Sequence, residues 1–243
     1  KDLSVTGVTS HDFTVSGSIN AAAVSANTNV VFSALGGGRI TGTTNFTNSG
    51  GGCVFGNNST DNLKFDEALD LTNVTTTLNG TINTLNQTMD VGVLQIPANG
   101  SGTIDSRSLQ STNGAAVTLQ DTINSITTSY GSLAINAGTS TVAFSDTIGV
   151  TQPLNTFAAT ARTITFDTNA DTINTNGNTT ILTGNTILTA PITTFTEAGS
   201  GDISFIGTLN GAVNYTNALV LSAGGDINFQ DHVGNSVPLA ATT

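Results

Sequence analysis

The chain has 243 residues, a formal net charge of −11, a pI near 4.1 and only 9% charged residues. Five basic residues are too few to replace the counterions of a nucleic acid or to dock on an anionic membrane. No apolar run approaches the ~20 residues of a membrane span, and charge this sparse is unlike an ordinary disordered tail.

The chain opens Lys1-Asp2-Leu3-Ser4-Val5-Thr6-Gly7, which has no signal-peptide core, so a secreted form is expected to have a leader that is removed or that lies outside this sequence. Leu3-Ser4-Val5-Thr6 and Phe13-Thr14-Val15 alternate apolar with small polar residues, the pattern of half-buried strands. Glycine clusters at Gly36 to Gly38 and Gly50 to Gly52 mark turns, as do Asn-Gly steps at Asn79, Asn99, Asn113, Asn176 and Asn210. Cys53 stands alone, so no disulfide forms within one chain, and the plain expectation is a small buried side chain. The best helical candidate, Leu63 to Leu69, is short and uncapped. Thr and Asn make up about 30% of the chain, and both are poor helix formers.

Repetition is the most informative feature. Val117-Thr118-Leu119-Gln120-Asp121-Thr122-Ile123 is echoed 25 positions later by Val142 to Ile148, and Asp171-Thr172-Ile173 follows another 25 on. Ile203 to Leu209 repeats the form, and so does Ile227 to Val233, 24 later. A longer block, Leu133 to Gly138 with Phe144, Asp146, Ile148, Gly149, Pro153 and Leu154, recurs as Leu219 to Gly224 with Phe229, Asp231, Val233, Gly234, Pro238 and Leu239. Short strands and turns repeating every ~24 residues predict an all-β fold, a parallel β-helix or β-solenoid. Its coils stack at about 4.8 Å, with Ile, Leu, Val and Phe in inward columns and Thr, Ser and Asn outside. Such a chain makes about ten coils and a rod about 50 Å long. Residues 111–243 carry the 24–25-residue repeat. Residues 1–110 form a β-rich segment with irregular repeats, read as continuous with the solenoid; a β-sandwich is the alternative there.

The units Leu219-Val220-Leu221-Ser222-Ala223-Gly224-Gly225-Asp226-Ile227-Asn228-Phe229 and Leu133-Ala134-Ile135-Asn136-Ala137-Gly138 resemble passenger repeats of filamentous-haemagglutinin-like and autotransporter bacterial surface proteins. Gly36-Gly37-Gly38-Arg39-Ile40, Asn45-Phe46-Thr47-Asn48 and Phe55-Gly56-Asn57-Asn58 resemble the repeats of polymorphic outer-membrane passengers. The resemblance covers about half the chain, mostly residues 117–243. It implies a right-handed parallel β-helix, secretion, and adhesive or surface-structural roles. The sequence departs from those families in showing no secretion domain at its start and no membrane barrel at its end, as expected of a fragment or a short assembling subunit.

Signals for chemistry are sparse. Asp121, Asp146, Asp171 and Asp231 recur in register and are expected to stack. The plain reading is turn-starting Asp; the functional alternative is Ca²⁺ between the carboxylates. Gly224-Gly225-Asp226 lacks the tandem nonapeptide of a calcium β-roll. His11 and His232 have no Cys or His partner at metal spacing and read as solvated. Arg39, Arg107, Arg162 and Lys64 are too few for a polyanion groove. The Thr-x-Thr steps at Thr41/Thr43, Thr139/Thr141 and Thr163/Thr165 would bind ice only as a flat ladder; otherwise Thr is simply the common outward residue. Sequons at Asn45, Asn58, Asn73, Asn79, Asn86, Asn99, Asn178 and Asn214 follow from composition. No catalytic, cofactor or metal residue is assigned, and no cofactor is expected beyond the Ca²⁺ alternative.

The expected function is a non-enzymatic extracellular or cell-surface structural protein. It would self-associate head to tail into filaments by strand addition or continue into a larger surface protein, with no nucleic-acid partner and no membrane span. An adhesin segment binding a host or surface ligand is the alternative, and a polysaccharide-active β-helix enzyme the second.

Overall fold

The computed structural model describes residues 2–5, 12–27, 30–47, 51–108 and 111–240. Among them there is no helix; short strands wind into a three-faced parallel β-solenoid of about nine turns. The first face climbs from Ile19–Ala21 through Gly38–Ile40, Asn62–Phe65, Gly80–Asn83, Ser101–Asp105 and Ser132–Asn136. It continues through the leading parts of Phe157–Phe166 and Thr180–Leu188 to Ile203–Ile206 and Ile227–Phe229. The second face runs from Asp2–Val5 to Leu209–Gly211 and the third from Asp12–Val15 to Ala218–Ala223. Every strand ladder is parallel, so successive rungs rise by about 4.8 Å and the rod is about 45 Å long. The first face runs unbroken past position 110, since Ser101–Asp105 pairs with Ser132–Asn136. Among the described residues before Val117 the strands build these same coils and no sandwich.

Alternation explains the core. On the first face Ile82, Ile104, Ile135, Ala159, Leu182 and Phe205 lie over one another as paired residues. On the third, Phe13, Phe32, Cys53, Thr76, Leu94 and Ile123 do the same, and Ile148 and Ile173 extend the column by single bridges. Cys53 is buried in that column, as the sequence led one to expect. All eleven Phe take part in two aromatic ladders, one from Phe13 to Phe65 and one from Phe144 to Phe229. Offset and edge-to-face contacts add to the burial of these large rings. The helical candidate Leu63 to Leu69 is instead a strand, a turn and the start of another strand, because Leu63, Phe65 and Leu69 all enter the core at period two.

The coil length varies more than the repeats suggest. A short coil brings Leu94 over Thr76, whereas a much longer one separates Ser101 from its ladder partner Ser132. The 25-residue step holds at Ile123, Ile148 and Ile173. Two long strands, Phe157–Phe166 and Thr180–Leu188, turn a corner without breaking, with a register shift between Thr160 and Thr163. Gly184 sits opposite that shift at φ 141°, where an added Cβ would lie 2.0 Å from the Ala161 carbonyl.

One repeat proves to be local rather than vertical. Leu133 lies on the first face but its sequence echo Leu219 lies on the third. The same loop is nevertheless built twice. Gly149 and Gly234, at φ 71° and 66°, donate to the carbonyls of Ile123 and Leu209, both at 2.7 Å. Asn124 Oδ1 accepts from the Thr151 amide at 3.0 Å, and Asn210 Oδ1 from the Ser236 amide at 3.1 Å. The motif needs only an Asn one coil earlier and a left-handed Gly, so it can sit on either face.

Candidate functional site

The feature that stands out is the rung at Ile227–Phe229. Ile227 and Phe229 continue the columns of Ile203 and Phe205, and Val233 that of Leu209. Ile203, Phe205 and Leu209 are buried, but Ile227, Phe229 and Val233 are 41%, 43% and 45% exposed. Phe229 stacks flat on Phe205, with centroids 5.3 Å apart and planes at 11°. Leu219 and Leu221 on the neighbouring face are half-buried. Among the described residues no strand pairs the outer edge of Ile227–Phe229, so apolar columns and main-chain polar groups are presented together. At the other end Phe13 and Val15 are half-buried against the core, and Phe13 stacks on Phe32 at 6.1 Å.

The candidate chemical residues fall elsewhere. Asp121, Asp146 and Asp171 do form a column, since each precedes by two the bridged residues Ile123, Ile148 and Ile173. Asp231 does not join it. It precedes Val233, which bridges to Leu209 on another face, because the 60 residues from Asp171 to Asp231 are not a whole number of the 23–24-residue coils there. Asp121 and Asp146 accept from the next amide, of Thr122 and Thr147, at 2.7 and 2.6 Å, and Asp171 accepts from the Thr172 hydroxyl at 2.9 Å. These are the turn-starting bonds expected of Asp. Among the described residues no group of three or more His, Cys, Asp or Glu is placed to hold a metal.

His232 is exposed and its ring nitrogen meets the Asp231 carboxylate. The His232 main-chain N–H and then its ring hold the Asp231 carboxyl below the usual range. His11 lies outside the described residues. Arg39 pairs with Asp66 at 2.8 Å and Arg107 with Asp105 at 2.8 Å; the carboxylate bonds raise both guanidinium pKa values. Of the Thr-x-Thr steps, Thr141 pairs with Thr163, but Ala143 faces Thr165, and the next positions are Asn185 and Ile187. A flat threonine ladder is therefore not built there.

Sequence reasoning missed two internal polar clamps. Glu197 is buried, and its carboxylate accepts the amides of Gly177, Gly199 and Gly201. Asn217 is buried, accepts the amides of Ala212 and Val213 and donates to the carbonyls of Thr189 and Ala190. The available signal for Glu197 was its inward phase, two after Phe195, followed by a Gly-rich turn.

Comparison of the chain with protein-family models, curated proteins and solved structures finds no match. The stacked coils are those of β-helix repeat proteins in general.

Proposed function

We propose that the chain is a non-enzymatic structural module of an extracellular or cell-surface fibre, extended end to end by parallel strand addition onto its terminal rung. The observation that carries this reading is the exposure of core-phase Ile227 and Phe229 on an unpaired strand edge. Burial of apolar area at about 25 cal/mol per Å² and completion of the ladder would both favour a further rung there. A head-to-tail contact of this kind does not close on itself and grows as a filament. Turn-starting bonds at Asp121, Asp146 and Asp171, and ion pairs that tie Arg39 to Asp66 and Arg107 to Asp105, support a structural rather than catalytic role.

Negative-stain microscopy and sedimentation test it, with the Ile227→Asp/Phe229→Asp double variant beside the parent chain. Filaments with an axial repeat of about 45 Å, lost in a variant with unchanged circular dichroism, are expected. A parent chain that stays monomeric when concentrated overturns the reading.

A further inference from the structure

Six residues, 126–131, link the third-face strand Ile123–Ser125 to the first-face strand Ser132–Asn136 and form a surface loop. This loop is anchored. Ser125, buried at a core-phase position, accepts the Gly131 amide at 2.7 Å, and the Ser129 carbonyl accepts the Asn99 amide at 2.9 Å. Asn99 itself is left-handed, at φ 52°. Loop and rod border an open, polar cleft of about 340 Å³ lined by Asn99, Thr128, Ser129, Tyr130, Ser132 and Asn155 together with the Gly100 backbone.

The chemistry of this lining is selective. No charged side chain lines it, although the chain carries a net charge of −11. An anion finds no cation there and a metal finds no carboxylate. Tyr130 is half-buried, and its hydroxyl oxygen accepts from Asn176 Nδ2 at 3.1 Å, which fixes the ring and leaves the phenol proton to donate. Asn155 donates to Ser132 Oγ and accepts from Asn178, each at 3.3 Å, and so orients the Ser132 hydroxyl. The side-chain polar groups of Asn99, Thr128 and Ser129 make no hydrogen bond within the described residues. Amides and hydroxyls that both donate and accept match a ligand that is itself a neutral polyol. The volume falls at the small end of ligand sites.

We infer that this cleft, midway along the flank, binds a neutral mono- or disaccharide, with the sugar's hydroxyls on Asn99, Thr128, Ser129 and the Tyr130 hydroxyl. The anchored loop is already ordered, so binding does not bear the cost of immobilising it.

The chain contains no Trp and two Tyr, so Tyr215→Phe leaves Tyr130 as the sole strong fluorophore. In that background, cellobiose, maltose, lactose, N-acetyllactosamine and N,N′-diacetylchitobiose are titrated while Tyr130 emission is followed. Saturable change with at least one sugar, at roughly millimolar Kd or tighter, is expected. Saturation-transfer NMR carries the test to variants lacking the fluorophore. There, Tyr130→Ala and Asn99→Ala/Ser129→Ala weaken that binding about tenfold or more, with unchanged circular dichroism. Absence of saturable binding across the panel overturns the inference, as does binding that both variants leave unaltered. The terminal-rung double variant keeps the sugar response, because the cleft and the rod's end share no residue.

Discussion

Glu197 Oε1 accepts the main-chain N–H of Gly177 at 2.8 Å, from the preceding coil. The same carboxylate takes the amides of Gly199 at 3.0 Å and Gly201 at 2.8 Å, so one side chain ties two coils together at a corner. Thr175 pairs with Glu197 in the ladder, which brings Gly177 and Gly199 into register beneath the carboxylate. Glu197→Ala leaves the buried Gly201 amide and the half-buried Gly177 and Gly199 amides without this acceptor and is expected to cost about 2–3 kcal/mol, at about 1–3 kcal/mol per orphaned buried group. Urea unfolding measures the loss, and hydrogen exchange should show faster exchange at the three glycine amides. Glu197→Gln, which keeps one acceptor, falls between.

The Gly201 turn tests how closely the coils approach. A Cβ there would lie 0.9 Å from the Asn178 carbonyl oxygen, whereas nothing lies within 4 Å of a Cβ added at Gly17. Gly201→Ala is expected to destabilise by about 3 kcal/mol or more, as a backbone clash in a packed structure does, and Gly17→Ala to fall within about 0.5 kcal/mol of the parent. Thermal unfolding of the two variants side by side makes the comparison.

The two aromatic ladders predict a graded response. Phe166 is fully buried between Phe144, 5.0 Å away, and Phe195, 5.2 Å away. Phe166→Ala should cost about 3–5 kcal/mol. Phe229→Ala removes a half-exposed ring from the last rung and should cost about 1 kcal/mol in dilute protein. Equal losses in dilute solution would mean that Phe229 is covered there.

Asp231 gives the pH prediction. Its carboxyl is held below the ordinary range chiefly by the His232 main-chain N–H and then by the His232 ring. A depressed carboxyl contributes stability that is present above its unfolded-state value and lost as pH falls through the lowered value. The group is exposed, so unfolding should barely register the change. NMR titration of the Asp231 carboxyl should show a depressed value that largely survives His232→Ala, because the main-chain donor remains.

What the sequence determined by itself is local. Alternation in Ile203-Ser204-Phe205, Asn-Gly turns and the 25-residue step from Ile123 to Ile148 were enough to specify stacked parallel coils with apolar columns, because strand phase and turn chemistry depend on neighbouring residues. The angular position of a residue on the rod is different in kind. It depends on whether the separation from its counterpart is a whole number of coils, and neither the 86 residues from Leu133 to Leu219 nor the 60 from Asp171 to Asp231 divides into whole coils of the 23–24 residues that separate ladder partners on the first face there. That is why Asp231 left the Asp column and why Leu219 lies on a different face from Leu133. Only the tertiary structure brought Gly177 under Glu197 and Tyr130 beside Asn99, since those contacts join residues distant in sequence through the stacking of whole coils. It also set apart residues of like phase: Ile227 and Phe229 have the same alternation as Ile203 and Phe205, but no strand among the described residues pairs their outer edge.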